Sequence, residues 1–200
     1  MSRFLPPATR AIIVVNVVLY LLEYLFPNQV IGSLALWPVA TPLFQPWQLI
    51  TYSFLHSPNT FTHLFFNMFA LYMFGRSLED LWGPRRFLVF YFASVLAAGA
   101  AQLTVAALSD ASYPTLGASG GVFGVLFAFA LFFPRQRIML LFPPIPMPAW
   151  LFVTLYAILE LVLGVTGTQA GVAHFAHLGG MVGGALVLAY WHATGKVRRA

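Results

Sequence analysis

The chain has 200 residues, 60% of them hydrophobic and only 8% charged. A soluble domain carries about 25% charged residues, so this composition excludes one and indicates an integral membrane protein. Cys is absent, which excludes disulfides and thiolate chemistry, and the net charge of +5 is explained by its placement rather than by nucleic-acid binding.

At about 20 apolar residues per helical span, this length accommodates roughly six spans and no sizeable soluble domain. The apolar runs are long and continuous, unlike the alternating ten-residue strands of a membrane barrel. The start, Met1-Ser2-Arg3-Phe4-Leu5-Pro6-Pro7, lacks a small-residue cleavage pattern, so no removed signal or long transit peptide is expected. The first span is read as Ala11 to Phe26, stopped by Pro27-Asn28. The stretch Gln29 to Phe61 holds Pro38, Pro42, Pro46 and Pro58 with Trp37 and Trp47, and no basic residue. It is too broken to span and suits an irregular loop in the membrane interface. The second span is Thr62 to Phe74, closed by a charged turn from Gly75 to Arg86. The third is Phe87 to Leu108, the fourth Ser119 to Phe133, the fifth Ala149 to Val165 and the sixth Val172 to Trp191. The Pro-rich stretch to Pro148 is read as a loop. One domain, residues 1–200, accounts for the whole chain, and no internal repeat is evident.

With six spans both termini share a side. All 10 basic residues then fall on it, from Arg3 and Arg10 through Arg76, Arg85, Arg86, Arg135 and Arg137 to Lys196, Arg198 and Arg199. The positive-inside rule makes that side cytoplasmic. Asp110 is the only charge in the external loops.

Counting back from the cytoplasmic ends places three polar residues unexpectedly deep. Ser119 to Phe133 is about 15 residues, or roughly 22 Å of helix in a hydrocarbon layer about 30 Å thick. His177 to Trp191 gives about the same depth, and His63 to Phe74, about 12 residues, a similar one. A hydroxyl and two imidazoles thus share one layer below the external surface, where buried polar residues are functional candidates. Ser119 heads a helix with unsatisfied backbone N–H groups that can stabilise an oxyanion. His63 and Asn67 are four apart and share a helix face. His177, Gly180 and Gly184 share another, and Gly120 and Gly124 form a matching small strip on the fourth helix. Taken alone, such strips indicate close helix packing. Here packing them brings His177 toward Ser119, where a neutral imidazole can take the serine proton.

These residues resemble the rhomboid intramembrane serine proteases over almost the whole chain. The resemblance rests on His63-Leu64-Phe65-Phe66-Asn67, Gly117-Ala118-Ser119-Gly120 and His177-Leu178-Gly179-Gly180-Met181-Val182-Gly183-Gly184. Pro46-Trp47-Gln48-Leu49, the run from Gly75 through Glu79 to Gly83, and Phe142 to Pro148 are also similar. The resemblance implies an all-α polytopic membrane protein of the minimal six-helix type. It implies Ser119 as nucleophile and His177 as general base, a dyad with no required acid. His63, Asn67 and the Ser119 N–H would form the oxyanion hole, with Gly117, Phe123, Gly180 and Gly184 in support. Transmembrane protein substrates would enter laterally from the bilayer near the second and fifth helices, and the loop Thr166 to Gly171 would cap the site. No cofactor, metal or nucleic acid is implied. Two positions depart from the family pattern. Phe123 stands where Tyr is common, which keeps ring support for the base but removes a hydroxyl. Gln48 stands where Arg is common, which bears on loop anchoring.

Other polar residues are weighed against this set. His174, three residues before His177, is the rival base, but the glycine spacing favours His177. His56 is read as a loop or interface residue; with His63 alone it makes a poor zinc site. His192 is expected to be solvated. Glu160 lies at the depth of His177, so a Ser-His-Glu triad is conceivable, but the dyad of the family makes it a structural, protonated or paired acid. Glu79 and Asp80 are read with Arg76, Arg85 and Arg86 as a cytoplasmic capping cluster. Trp37, Trp47 and Trp82 suit interfacial anchoring, and the abundant Phe suits a lipid-facing surface. The expected function is intramembrane serine endopeptidase, cleaving near the external end of a membrane helix, in a prokaryotic plasma membrane. A non-catalytic rhomboid-like helix binder is the alternative. A transporter is disfavoured by the lack of repeats and the single polar layer.

Overall fold

The computed structural model describes residues 5–109, 112–139, 144–168 and 172–196. It is an all-α bundle organised around one short helix. That helix, α7 (Ser119–Phe132), buries ten of its fourteen residues. A helix apolar on every side has no solvent face to offer and belongs inside other helices. Its neighbours are α4 (Phe61–Ala70), α5 (Arg76–Trp82), α6 (Pro84–Leu108), α8 (Ala149–Thr166) and α9 (His174–Ala193). The longer α1 (Pro7–Leu25) packs outside, against α4, α5 and α6. The helices α1, α6 and α8 are long and apolar enough to cross a membrane, and α7 is a shorter apolar helix. Large apolar side chains such as Val14, Leu21, Leu155, Leu159 and Leu186 are exposed, whereas Asn16, Glu23, Gln48, Ser94 and Glu160 are buried. This inversion of the soluble pattern is what a lipid solvent demands.

Helix ends follow local chemistry. Pro7, Pro27 and Pro84 each occupy a first helical position, where the missing N–H costs nothing. Gly83 (φ 77°) lets the chain reverse between α5 and α6, and Gly167 (φ 67°) ends α8 in the left-handed conformation.

α9 approaches α7 and α6 closely. A Cβ at Gly180 would fall inside the Gly120 carbonyl, and one at Gly184 would meet the Gly124 Cα at 3.4 Å. The expected glycine strips therefore do face each other. A second strip on α9, Gly179 and Gly183, lies against Ala97 and Ala101 of α6, so α9 is clamped between two small-residue surfaces.

The segment between α1 and α4 is more ordered than an irregular loop. It contains α2 (Pro27–Leu34), α3 (Gln48–Thr51) and a 3₁₀ turn, Tyr52–Phe54. α1 stops at Leu25, just before Pro27 as expected, and Pro27 starts a second helix. Gln48 is fully buried at its hub. Its Oε1 accepts the Gln45 and Trp37 N–H groups at 3.1 and 3.3 Å, and its Nε2 donates to the Leu43 carbonyl at 2.9 Å. An uncharged amide thus anchors the loop through both its donor and its acceptor.

Four further expectations are corrected. Gly75 does not open a turn: a π-helical segment, Leu71–Gly75, joins α4 to α5, and the helix runs on to Trp82. The depth count for His63 therefore stopped the helix too early. Glu79 does not join the arginines. It is buried and accepts the Ala8 N–H at 2.8 Å, the Thr9 N–H at 2.7 Å and the Thr9 hydroxyl at 2.7 Å. The orphan N–H groups of the first turn of α1 draw it there. Asp80 stays near Arg76, at 4.0 Å. Trp82 is not interfacial: it is 7% exposed and packs on Phe90, Phe132 and Trp191, with ring centroids 5.1 to 5.4 Å apart. The Phe side chains divide, with Phe61, Phe65 and Phe66 exposed and Phe87, Phe90, Phe123 and Phe129 buried.

The stretch around the Pro-rich loop forms a short antiparallel hairpin, β1 (Arg137–Met139) with β2 (Pro146–Pro148). Residues 140–143 of that stretch, residues 169–171 of the expected cap, Asp110 and the terminal Arg3, Arg198 and Arg199 lie outside the described residues. The Trp82 cluster and the Glu79 contact bring the start of α1, the α5–α6 turn and the ends of α7 and α9 together. Arg10, Arg76, Arg85, Arg86, Arg135 and Lys196 border this one end.

Candidate active site

Ser119 is the first residue of α7, at the end of the bundle opposite the arginines. Backbone pairing holds its approach strand inside the protein. Leu36 and Thr115 exchange two N–H···O bonds of 2.9 Å, and the Gly117 N–H donates to the Tyr52 carbonyl at 3.0 Å. Tyr52 is itself tied by its hydroxyl to the Val95 carbonyl of α6 at 2.7 Å. Non-helical backbone at membrane depth needs such internal partners. Gly117 has φ 135°, a conformation that disfavours a side chain, and a Cβ there would meet His63 Cε1 at 3.0 Å. The glycine before Ala118-Ser119 thus makes both the turn and the room for His63.

The clamped α9 brings His177 to Ser119, with Nε2 to Oγ at 2.8 Å. Phe123, one turn along α7, lies flat on the imidazole, with centroids 4.3 Å apart and planes 5° from parallel. Ring support without a hydroxyl is what the sequence at Phe123 calls for. The face opposite Ser119 holds the main departure from expectation. His177 Nδ1 is 2.8 Å from Glu160 Oε2, and His174 Nδ1 is 2.7 Å from the same oxygen. Glu160 is 4% exposed, His174 6% and His177 8%. Glu160 meets His177 with the contact that the Ser-His-Glu alternative requires, and His174 faces the carboxylate instead of Ser119. The i,i+3 spacing of the two histidines puts both on the face that meets α8.

His63 and Asn67 border the same space as Ser119 and His177. The Asn67 amide donates to the His63 carbonyl at 2.9 Å, one turn back on its own helix, which leaves its second amide hydrogen for another acceptor. The Ser119 N–H, at the first helical position, has no intrahelical acceptor. His56 lies in a loop, as expected, but it is fully buried rather than interfacial. Its ring stands edge-on to His63 at 4.9 Å, and its backbone N–H donates to the buried Glu23 carboxylate at 2.9 Å. Burial, with His63 adding to it, pushes the His56 imidazole down to about 3. Glu23 escapes a sequence reading because its partner is 33 residues away in a different element. His192 is exposed, as expected.

A groove of about 1120 Å³ opens beside Ser119. Its walls are α4, through Phe66 and Asn67, and α8, through Leu155, Tyr156 and Leu159. Among the described residues, the ligand atoms of Glu160, His174 and His177 lie within 4.8 Å of one another, close enough to share a cation. Their direct contacts of 2.7 and 2.8 Å already satisfy them as a hydrogen-bonded network.

Fold and site together define a polytopic membrane protein in which a partly exposed serine meets a buried histidine beside a groove between α4 and α8. The model of the rhomboid domain matches residues 43–194, and the chain belongs to the rhomboid family. It is 34% identical over 152 residues to Rhomboid protein 1, mitochondrial, of Saccharomyces cerevisiae, a match covering 72% of this chain and 41% of that protein. Rhomboid protease GluP of Bacillus subtilis is 32% identical over 138 residues, covering 69% and 24%. Presenilin-associated rhomboid-like protein, mitochondrial, of Rattus norvegicus is 26% identical over 159 residues, covering 78% and 40%. The chain thus spans less than half the length of these relatives.

Proposed function

We propose that this rhomboid protein is an intramembrane serine endopeptidase that cleaves transmembrane substrates near their external ends. The observation that carries the reading is the 2.8 Å approach of His177 Nε2 to Ser119 Oγ at the wall of a membrane-level groove. A groove-lining hydroxyl bonded to an imidazole, beside space for a peptide, is the minimum set for acyl transfer.

In this mechanism a substrate helix enters between α4 and α8 and unwinds locally, exposing a peptide carbonyl to Ser119. The Oγ–H proton passes to His177 Nε2 as Oγ bonds to the carbonyl carbon. The carbonyl electron pair moves to oxygen, where the Ser119 N–H, His63 and Asn67 act as donors. Collapse expels the amine, which takes the proton from Nε2 and leaves a Ser119 ester. Water then attacks the ester with His177 again as base, releasing the acid and restoring Ser119. The chain inserts with both termini cytoplasmic, as its basic residues direct.

The test is labelling by a serine-reactive fluorophosphonate together with cleavage of a single-span substrate in proteoliposomes. Wild type labels and cleaves; Ser119→Ala does neither. A wild-type protein inert in both assays refutes the enzyme reading, and cleavage by Ser119→Ala refutes the choice of nucleophile.

A further inference from the structure

We infer that Glu160 is a positioning residue for this chemistry, so that the protein works through a chain Ser119–His177–Glu160, with His174 as a second donor holding the carboxylate. The inference rests on the protease reading above.

Glu160 sits on an apolar, largely outward-facing helix. Of the eighteen residues of α8 only Ala149, Val153 and Glu160 are buried. Burying a carboxylate at membrane depth is costly without strong partners. The partners here are the two imidazole Nδ1 atoms at 2.7 and 2.8 Å, both on Oε2. A latch between α8 and α9 would need only one of them, and that one need not be the ring that faces Ser119. Instead the carboxylate meets the far nitrogen of the imidazole whose near nitrogen is 2.8 Å from Ser119 Oγ.

That placement has two chemical consequences. With Glu160 as acceptor, the Nδ1–H tautomer of His177 is favoured, and its Nε2 lone pair is left to receive the serine proton. When the proton arrives, the imidazolium forms beside a negative charge in a poorly screened site, where that pairing is strongest. Phe123 fixes the face of the ring and Glu160 fixes its edge, so rotation about the ring axis is restrained from both sides. His174 donates to the same oxygen and keeps the carboxylate from turning away.

The experiment compares kcat and KM of wild type, Glu160→Gln, Glu160→Asp and His174→Gln on one single-span substrate, with thermal unfolding of each. By the logic of the acid in serine hydrolases, Glu160→Gln lowers kcat by about 10²- to 10⁴-fold while KM stays within about threefold. Glu160→Asp regains part of that loss, and His174→Gln costs about tenfold, since one of two donors remains. Histidine ¹⁵N NMR of the intact wild-type protein gives a reading that no variant's folding can confound: His177 is an Nδ1–H tautomer with a downfield proton. Glu160→Gln that unfolds more easily but keeps kcat within about threefold overturns the inference and leaves Glu160 a latch. An Nε2–H tautomer of His177 in wild type overturns it as well. If either occurs while wild type cleaves and Ser119→Ala does not, the protease reading stands without the third member; if wild type neither labels nor cleaves, both fall.

Discussion

Glu79 and Glu160 are both almost fully buried, 2% and 4% exposed, and each accepts hydrogen bonds from a helix other than its own. Glu79, at the arginine-bordered end, takes two backbone N–H groups and a hydroxyl from the first turn of α1. Glu160, at the opposite end, takes two imidazole Nδ1 atoms of α9. The donors on Glu79 cannot change protonation state in any ordinary pH range. The donors on Glu160 are imidazoles, and one of them continues to a hydroxyl beside an open groove. The same side chain, equally buried, is a fastening in one place and, in the proposed mechanism, holds the base in the other. What separates the two places is the chemistry of the partners, not the burial of the acid.

Two substitutions break this comparison at its strong ends. Replacing His177 by Gln removes the proposed base and one donor to Glu160. Cleavage then falls by more than about a thousandfold, and fluorophosphonate labelling of Ser119 falls with it. Labelling at the wild-type rate would show that Ser119 needs no activation by this ring. At the other end, Glu79→Ala strands the first-turn donors of α1 without a buried acceptor, which costs about 3 kcal/mol of stability. Denaturant titration in micelles reads that loss. The kcat of the folded fraction stays within about twofold, because these donors touch no group of the site. A large fall in kcat per folded molecule would mean that the two ends are coupled.

The contrast also explains what could be read before the fold was known. Ser119, His177 and His63 were legible because each sits in a short local pattern, and because counting from charged helix ends estimates depth. The facing of Gly180 on Gly120 followed from spacing alone. The partner of Glu160 did not. Depth places Glu160 level with His177, but which way α8 rotates about its axis depends on contacts 14 and 17 residues away across a loop. Glu79 was misjudged for a related reason. Its arginine neighbours are near in sequence, yet its donors lie 70 and 71 residues back. Local charge was the visible cue, whereas unsatisfied N–H groups at a distant helix start were the stronger attraction. Gly75 misled in a third way: a glycine suggests a stop, but here the helix absorbs it in a π-helical turn.

The smallest effects test how much of the base's positioning comes from its face rather than its edge. Phe123 stacks on His177 and also touches Tyr156, at a centroid distance of 4.8 Å. Phe123→Ala removes the stack, worth about 0.5–1.5 kcal/mol for an aromatic pair, so kcat falls by up to about tenfold. Phe123→Tyr is the sharper probe, because it restores the residue common in the family while changing one atom. The ring keeps its volume and its stack, and it borders the groove, so the added hydroxyl need not be buried without a partner. If the ring's work is steric, kcat/KM stays within about threefold of wild type, a difference of less than 0.7 kcal/mol. A gain above tenfold would mean that a hydroxyl at this position orients the base and that this chain lacks that aid. In that event Glu160 becomes the natural compensation, and Glu160→Gln should cost less in the Phe123→Tyr background than alone. Additive losses in the double variant would show that edge and face act on His177 independently.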